Sequence, residues 1–175
     1  MVLIFINRIV RACKLDAKLY EEVEADKSAT LQAAGVVVLS IIALGIGTFL
    51  AYGAFNVLIP ISAGLLGWLV TSLLIYFVGA KLFPEKNTQS DPGELLRAIG
   101  FAYSPGLIRA FSFNQDLLVF TFFASGIWSL IAMVIAVRQA LDYQSTWRAI
   151  GVVVIVVLFQ IYVAFKLGFI PSEGF

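Results

Sequence analysis

The sequence predicts an all-α, polytopic bundle of transmembrane helices, and three observations carry that prediction. No Asp, Glu, Lys or Arg occurs from Ser28 to Ala80. That gap is sized for two crossings, because a bilayer core of about 30 Å takes roughly 20 apolar residues per helix. The 175-residue chain is 61% hydrophobic and 13% charged, against roughly 45–50% apolar and 25% charged in globular domains. Two more apolar blocks, Leu117 to Val137 and Ala149 to Phe165, follow in the second half.

Residues 1–26 are expected to form an amphipathic N-terminal interfacial helix and an acidic turn. On a helical wheel Val2, Phe5, Ile6, Ile9, Val10, Cys13, Ala17 and Tyr20 share one face, while Arg8, Arg11, Lys14 and Lys18 share the other. Such a helix suits the headgroup layer of an anionic leaflet, with those four cations as its membrane-surface contacts at about 1 kcal/mol each. Packing on the rest of the protein is the competing reading. Apolar Val2 to Ile6 precede Arg8 and Arg11, the reverse of the order in a cleavable signal, so the segment is expected to stay on the mature chain. Glu21, Glu22, Glu24 and Asp26 make the acidic turn, with Asp26 or Ser28 capping the next helix.

Residues 27–175 are expected to be the transmembrane bundle, with spans near 31–52, 61–80, 95–113, 117–137 and 149–166. The first two are joined over Gly53 to Pro60, where Asn56 and Pro60 supply turn chemistry. Asp91-Pro92-Gly93-Glu94 is a strong helix start, with Asp91 as cap and Pro92 first in the helix. The segment that follows is short and kinked at Pro105. From Arg97 to Arg109 it would reach only about 17 Å as a helix, and about 24 Å if carried to Phe113. It crosses only if Arg97 and Arg109 snorkel toward opposite interfaces. Leu117 to Val137 holds Trp128, and the last span is entered through Gln144-Ser145-Thr146 with Trp147 and Arg148 at the interface. A short polar tail ends the chain.

Charge bias does not choose between four spans and five. With five, Arg8, Arg11, Lys14, Lys18, Lys27, Lys81, Lys86, Arg97, Arg138 and Arg148 lie inside, ten of the 12 Lys and Arg, leaving Arg109 and Lys166 outside. With four, those two exchange places with Arg138 and Arg148, and the split is again ten to two. Both place the N-terminus in the cytoplasm.

Several chemistries are excluded by residue type. The chain has no histidine, hence no histidine ligand, no histidine base and no Ser-His or Cys-His pair. Its single cysteine, Cys13, has no partner for a disulfide or zinc site and reads as a small helix residue. A net charge of +1 without a basic face gives no case for nucleic acid. Neither a cofactor nor a metal is expected.

The four strong spans hold no ionisable group, which argues against a coupled pump. Possible intramembrane polar contacts are Gln160 and Arg109, with Ser40, Thr48, Ser62, Thr71, Ser72, Ser125 and Ser129 as hydroxyls that bond across helix interfaces or line a pore. Small residues every four positions, Ala43, Gly47 and Ala51 and again Ala132, Ala136 and Ala140, predict close helix approach in the bundle or to a partner. Charge of both signs collects on a cytoplasmic rim, where Glu21, Glu22, Glu24, Arg97, Arg138 and Arg148 are candidate interaction residues; ordinary topology signal plus solvation is the alternative.

The runs from Leu15 to Asp26, Gly93-Glu94-Leu95-Leu96-Arg97, Gly100-Phe101-Ala102-Tyr103-Ser104-Pro105-Gly106 and Ala136-Val137-Arg138-Gln139-Ala140-Leu141 resemble the prokaryotic branch of the Yip1 family. The resemblance implies five transmembrane helices and a cytoplasmic N-terminus, in the cytoplasmic (inner) membrane of a bacterium. Eukaryotic relatives are associated with Rab GTPases and membrane shaping, but their Asp-Leu-Tyr-Gly-Pro box is absent here, Leu19-Tyr20 being flanked by Lys18 and Glu21. The expected function is therefore non-enzymatic: a membrane-organising or adapter protein, or a small subunit of a membrane complex, acting through its rim and helix faces. Its expected partners are the bilayer, with anionic lipids of the cytoplasmic leaflet, and a membrane protein or second copy. A passive channel or transporter with Gln160 on its path is the alternative.

Overall fold

Asp91 starts the element around which the others pack. Its carboxylate accepts hydrogen bonds from the N–H groups of Gly93 and Glu94 at 2.6 and 3.0 Å, and the Glu94 carboxylate accepts the Asp91 N–H at 2.9 Å, with Pro92 in the first turn. In the computed structural model, which describes residues 2–53 and 58–167, the chain forms seven α-helices. These are α1 (Val2–Cys13), α2 (Ala17–Ala25), α3 (Ala29–Tyr52), α4 (Leu58–Ile75), α5 (Pro92–Ala102), α6 (Gln115–Ala140) and α7 (Thr146–Lys166). A π-helical segment, Tyr76–Leu82, prolongs α4, and a 3₁₀ segment, Ser104–Phe111, follows α5. Among the described residues four stretches are long and apolar enough to cross a membrane: Ala29–Tyr52, Ile59–Leu82, Gln115–Ala140 and Thr146–Lys166. Gly53 closes α3 with its N–H on the Phe49 carbonyl at 2.8 Å. The expected turn at Asn56 and the polar tail beyond residue 167 lie outside the described residues.

Helix α5 is buried at Leu95 and from Arg97 through Ala102, and it packs against α2, α3, α4 and α6. An element enclosed by protein has no lipid-facing side, which is why its hydropathy signal is weak. A Cβ on Gly100 would stand 2.6 Å from the Ala33 Cβ, so glycine there lets α5 approach α3 closely. Beyond Tyr103, Pro105 has no N–H to continue the helical ladder, and the chain tightens into the 3₁₀ segment. A 3₁₀ turn rises about 2.0 Å per residue against 1.5 Å in an α-helix, so the 11 residues of α5 and eight of the 3₁₀ segment together reach about 32 Å. The segment keeps register with α3 throughout: Gly100 lies on Ala33, the Ser40 hydroxyl donates to the Tyr103 carbonyl at 2.7 Å, and the Arg109 carbonyl lies against Gly47.

The turn after α6 docks on the π segment. The hydroxyl of buried Tyr143 is shared between the carbonyls of Gly79 and Phe83, at 2.8 and 2.7 Å. Gln139 donates to Glu21 at 2.6 Å, and the Gln144 N–H donates to Glu85 at 3.0 Å. These bonds bring α2, the end of the π segment and the α6–α7 turn to one end of the bundle. The buried alanines Ala132, Ala136 and Ala140 lie on the packed face of α6, as their spacing predicts.

At the N-terminus the expected single helical face is divided. Helix α1 stops at Cys13, Leu15 adopts a left-handed φ of 59°, and Asp16 caps α2 by accepting the Lys18 N–H at 3.1 Å. Local capping by Asp16 overrides a periodicity that would have continued through Tyr20. Leu19, Tyr20 and Val23 consequently face the bundle core, and the acidic stretch is itself helical.

Candidate functional site

Because α2 folds back after Leu15, its acids lie beside the basic face of α1. Arg8 is buried and donates from Nε to Glu22 at 3.0 Å, from Nη2 to Asp26 at 2.8 Å and from Nη1 to Gln32 of α3 at 3.0 Å. Arg11 donates to Asp16 at 2.8 Å and to Glu22 at 2.5 Å. Of the four cations expected at the membrane surface, Arg8 and Arg11 are thus turned onto protein, a correction that follows from the break at Leu15. Lys14 and Lys18 are exposed. Hydrogen bonds from Arg11 hold Asp16 and Glu22 below the ordinary carboxylate range, and the Ser28 hydroxyl followed by Arg8 does the same for Asp26. Held by its charges and by Phe5, Ile9 and Ala12, which pack on the core, α1 faces outward with Val2, Leu3, Ile4, Ile6 and Val10, which are 44–82% exposed.

The rim residues divide likewise. Arg97 is buried and does not reach the rim surface; its guanidinium donates to the carbonyls of Val23 and Glu24, capping the last turn of α2. Beside it the half-buried Glu24 carboxyl is pushed up to about 8, by burial first and then by Asp142, Glu94 and Glu21. Glu22 belongs to the α1 cluster and Glu21 to Gln139. Exposed Arg138 donates to the Tyr143 carbonyl at 3.3 Å. Arg148 lies 3.5 Å from Glu85, and both border a cavity of about 520 Å³ with Lys86, Asn87 and Gln144.

The two intramembrane candidates meet. Gln160 and Arg109 line one cavity of about 320 Å³ together with Ser40, Thr71, Tyr103 and Ser129. Gln160 donates to the Thr71 hydroxyl at 2.8 Å, tying α7 to α4. Arg109 donates from Nε to the Ser125 hydroxyl at 2.7 Å, its guanidinium carbon 5.0 Å from the Phe122 ring centroid. Snorkelling toward the interface opposite Arg97 is not observed. Ser125 lies about 15 Å along α6 from Gln115, so the charge points into the bundle. The reason is directional: helical side chains lean toward the N-terminus of their segment, here back toward the α2 end. An arginine at a helix centre in the membrane costs at least about 2.5–3.5 kcal/mol unless compensated.

Most of the other spanning hydroxyls bond within their own helices rather than across them. Thr48 donates to Leu44, Ser62 to Ile59 and Ser72 to Trp68 at 2.8–2.9 Å. Ser40 is the exception, reaching the Tyr103 carbonyl at the junction of α5 and the 3₁₀ segment. The place of Tyr103 in the cavity had no spacing signal, since it depends on the register of a 3₁₀ turn. Among the described residues no group of three or more Cys, Asp and Glu could hold a metal.

The Yip1 domain matches residues 15–167 of this sequence. The chain belongs to the Yip1 family. The Yip1 domain begins at the break between α1 and α2 and runs to the end of the described residues, so it takes in the rim and the intramembrane cavity and leaves α1 before it. Comparison with curated proteins and with solved structures gives no match. Domain match and apolar helices together identify an integral membrane protein in contact with the lipid bilayer.

Proposed function

We propose that this Yip1 protein is non-enzymatic and organises the membrane, with α1 lying in the cytoplasmic leaflet as an apolar wedge. The carrying observation is the orientation of α1: Arg8 and Arg11 bind α2 and α3, while Val2, Leu3, Ile4, Ile6 and Val10 face away from the protein. The opposite face of α1 packs on the bundle through Phe5, Ile9 and Ala12, so the helix lies on α5 and the 3₁₀ segment and leaves its outer apolar edge to lipid. Lys14 and Lys18 are free to meet anionic headgroups at about 1 kcal/mol each. A nitroxide on Ile6→Cys, in a Cys13→Ala background, is expected to be reached by membrane-dissolved oxygen and shielded from an aqueous nickel chelate. The opposite pattern overturns the wedge. Reconstitution should shrink vesicles of phosphatidylcholine and phosphatidylglycerol, and the triple change of Val2, Ile6 and Val10 to Ser should abolish that effect.

Five crossings with a cytoplasmic N-terminus, in a bacterial inner membrane, belong to the same reading. The register of α5 and the 3₁₀ segment along α3 supports it, as does the α6–α7 turn lying beside α2 and Glu85. In that arrangement ten of the 12 Lys and Arg fall inside. A reporter fused after Phe175 should then signal from outside; an inside signal leaves four crossings. The rim around Glu21, Glu24, Arg138 and Arg148 is the surface offered to a membrane-protein partner or a second copy. Co-purification in mild detergent tests it, and monomer alone would count against it.

A further inference from the structure

We propose that the cavity around Arg109 is a binding site for an anionic lipid, its phosphate held by the Arg109 guanidinium and one acyl chain lying in the groove between α6 and α7. This is independent of the wedge formed by α1. Among the described residues the terminal amino groups of Arg109 have no hydrogen-bond partner, only Nε being used, by Ser125. No carboxylate lines the cavity, so it carries one uncompensated positive charge. Gln160, Tyr103 and Ser129 add polar groups to the same walls. A planar fork of free N–H donors in a low-dielectric setting is matched to a phosphate group, which forms paired, charge-assisted hydrogen bonds with it.

The identity of the anion follows from what adjoins the cavity. Leu130 and Val157 line it and also line a second cavity of about 540 Å³, an aliphatic groove along α6 and α7 that ends at Thr146. From Thr146 to Leu158 that groove extends about 18 Å along α7, comparable with one leaflet's half of a bilayer core of about 30 Å. The groove runs from Leu158 beside the cavity to Thr146 at the α2 end of α7, so a phosphate at Arg109 would lie deep in the bundle with its chain directed toward the α2 side, as for a lipid entering from the opposite leaflet. A small free anion would use the guanidinium and leave the groove without a role.

The test uses the full chain in nanodiscs of phosphatidylcholine, with and without phosphatidylglycerol, and native mass spectrometry of the lipid retained after release into detergent. Wild type is expected to retain phosphatidylglycerol over phosphatidylcholine, and Arg109→Gln to weaken that retention by about tenfold or more, the range for losing a charge-assisted bond. Gly126→Leu provides a second route, because a Cβ at Gly126 meets nothing within 4 Å and the longer side chain fills the cavity while Arg109 stays. It should abolish retention without loss of thermal stability. Lys14→Gln with Lys18→Gln should leave retention unchanged. The proposal is overturned if Arg109→Gln and Gly126→Leu retain the lipid like wild type, or if the lysine pair alone removes it. It is overturned equally if inorganic phosphate raises the melting temperature in phosphatidylcholine as much as phosphatidylglycerol does.

Discussion

Replacing Gly47 with alanine should separate α3 from the 3₁₀ segment. A Cβ at this position would stand 2.3 Å from the Arg109 carbonyl oxygen and 3.2 Å from both the Ser112 Cβ and the Leu118 Cδ1. Carbon to carbonyl oxygen contacts normally begin at about 3.3 Å. The nearest atom is backbone, so no rotamer change relieves the clash and the segment must move by about 1 Å. Overpacking of this kind costs about 1–3 kcal/mol, against a gain of about 1 kcal/mol for alanine over glycine in a helix. Gly67 and Gly151 serve as references, since a Cβ at either meets nothing within 4 Å and only the helix gain applies. Gly47→Ala should therefore be about 1–3 kcal/mol less stable than Gly67→Ala or Gly151→Ala, a melting-temperature gap of roughly 2–12 °C for a chain of this size. Thermal unfolding in detergent, followed by tryptophan fluorescence, measures it. Equal melting temperatures for the three variants would refute the packing of the 3₁₀ segment on α3, and with it the support that packing gives to a fifth crossing.

Arg8→Gln removes two carboxylate contacts and one amide contact at once, and should loosen α1 by about 2–3 kcal/mol, because the carboxylates it leaves are open enough to regain water. Hydrogen exchange over residues 2–13 should rise about 30-fold or more, and unchanged protection would show that α1 is held otherwise. Asp16, Glu22 and Asp26 are depressed in the fold, so their support of α1 is complete above the ordinary values of 3.8 and 4.5 and is lost as pH falls through the lower folded ones. Glu24 has the opposite sign: the folded chain keeps a proton that the unfolded chain has released, so stability should decline as pH rises from 4.5 to about 8. Glu24→Gln should flatten that decline and Asp142→Asn should shift it to lower pH, both read from melting temperature against pH. Tyr143→Phe leaves the carbonyls of Gly79 in the π segment and of Phe83 just after it without their donor and should cost about 1–2 kcal/mol, measured by thermal unfolding.

The long helices and the start of α5 were legible because each rests on a local rule. Twenty apolar residues in succession need a bilayer, and Asp91-Pro92-Gly93-Glu94 satisfies its own backbone donors within four residues. The break at Leu15 was not legible, since leucine has no left-handed preference. It is held there because its side chain packs on the core and Asp16 caps the helix beyond it. The π segment has no sequence signature either; it is fixed by the distant Tyr143 hydroxyl. The inward direction of Arg109 was within reach of the side-chain rule for helices, given a segment that leads away from α2. Its meeting with Gln160 was not, because that depends on how α7 rotates against α4.

The weakness of the third apolar segment has a structural meaning. Hydropathy detects residues that face lipid, and α3, α4, α6 and α7 expose many large apolar side chains on their outer surfaces. Helix α5 is enclosed by α2, α3, α4 and α6, and the 3₁₀ segment packs on α1, α3 and α6, so protein more than lipid sets what they can carry. That is why Arg97, Ser104 and Arg109 all fall on this one segment, Arg97 satisfied by the end of α2 and Arg109 by Ser125 at Nε alone. A segment selected for spanning alone would have had no reason to place an arginine where its side chain points inward. One of the two arginines that make the third segment a poor span, Arg109, is also the residue that gives the bundle its cationic cavity, so part of the loss in hydropathy and the candidate site share an origin.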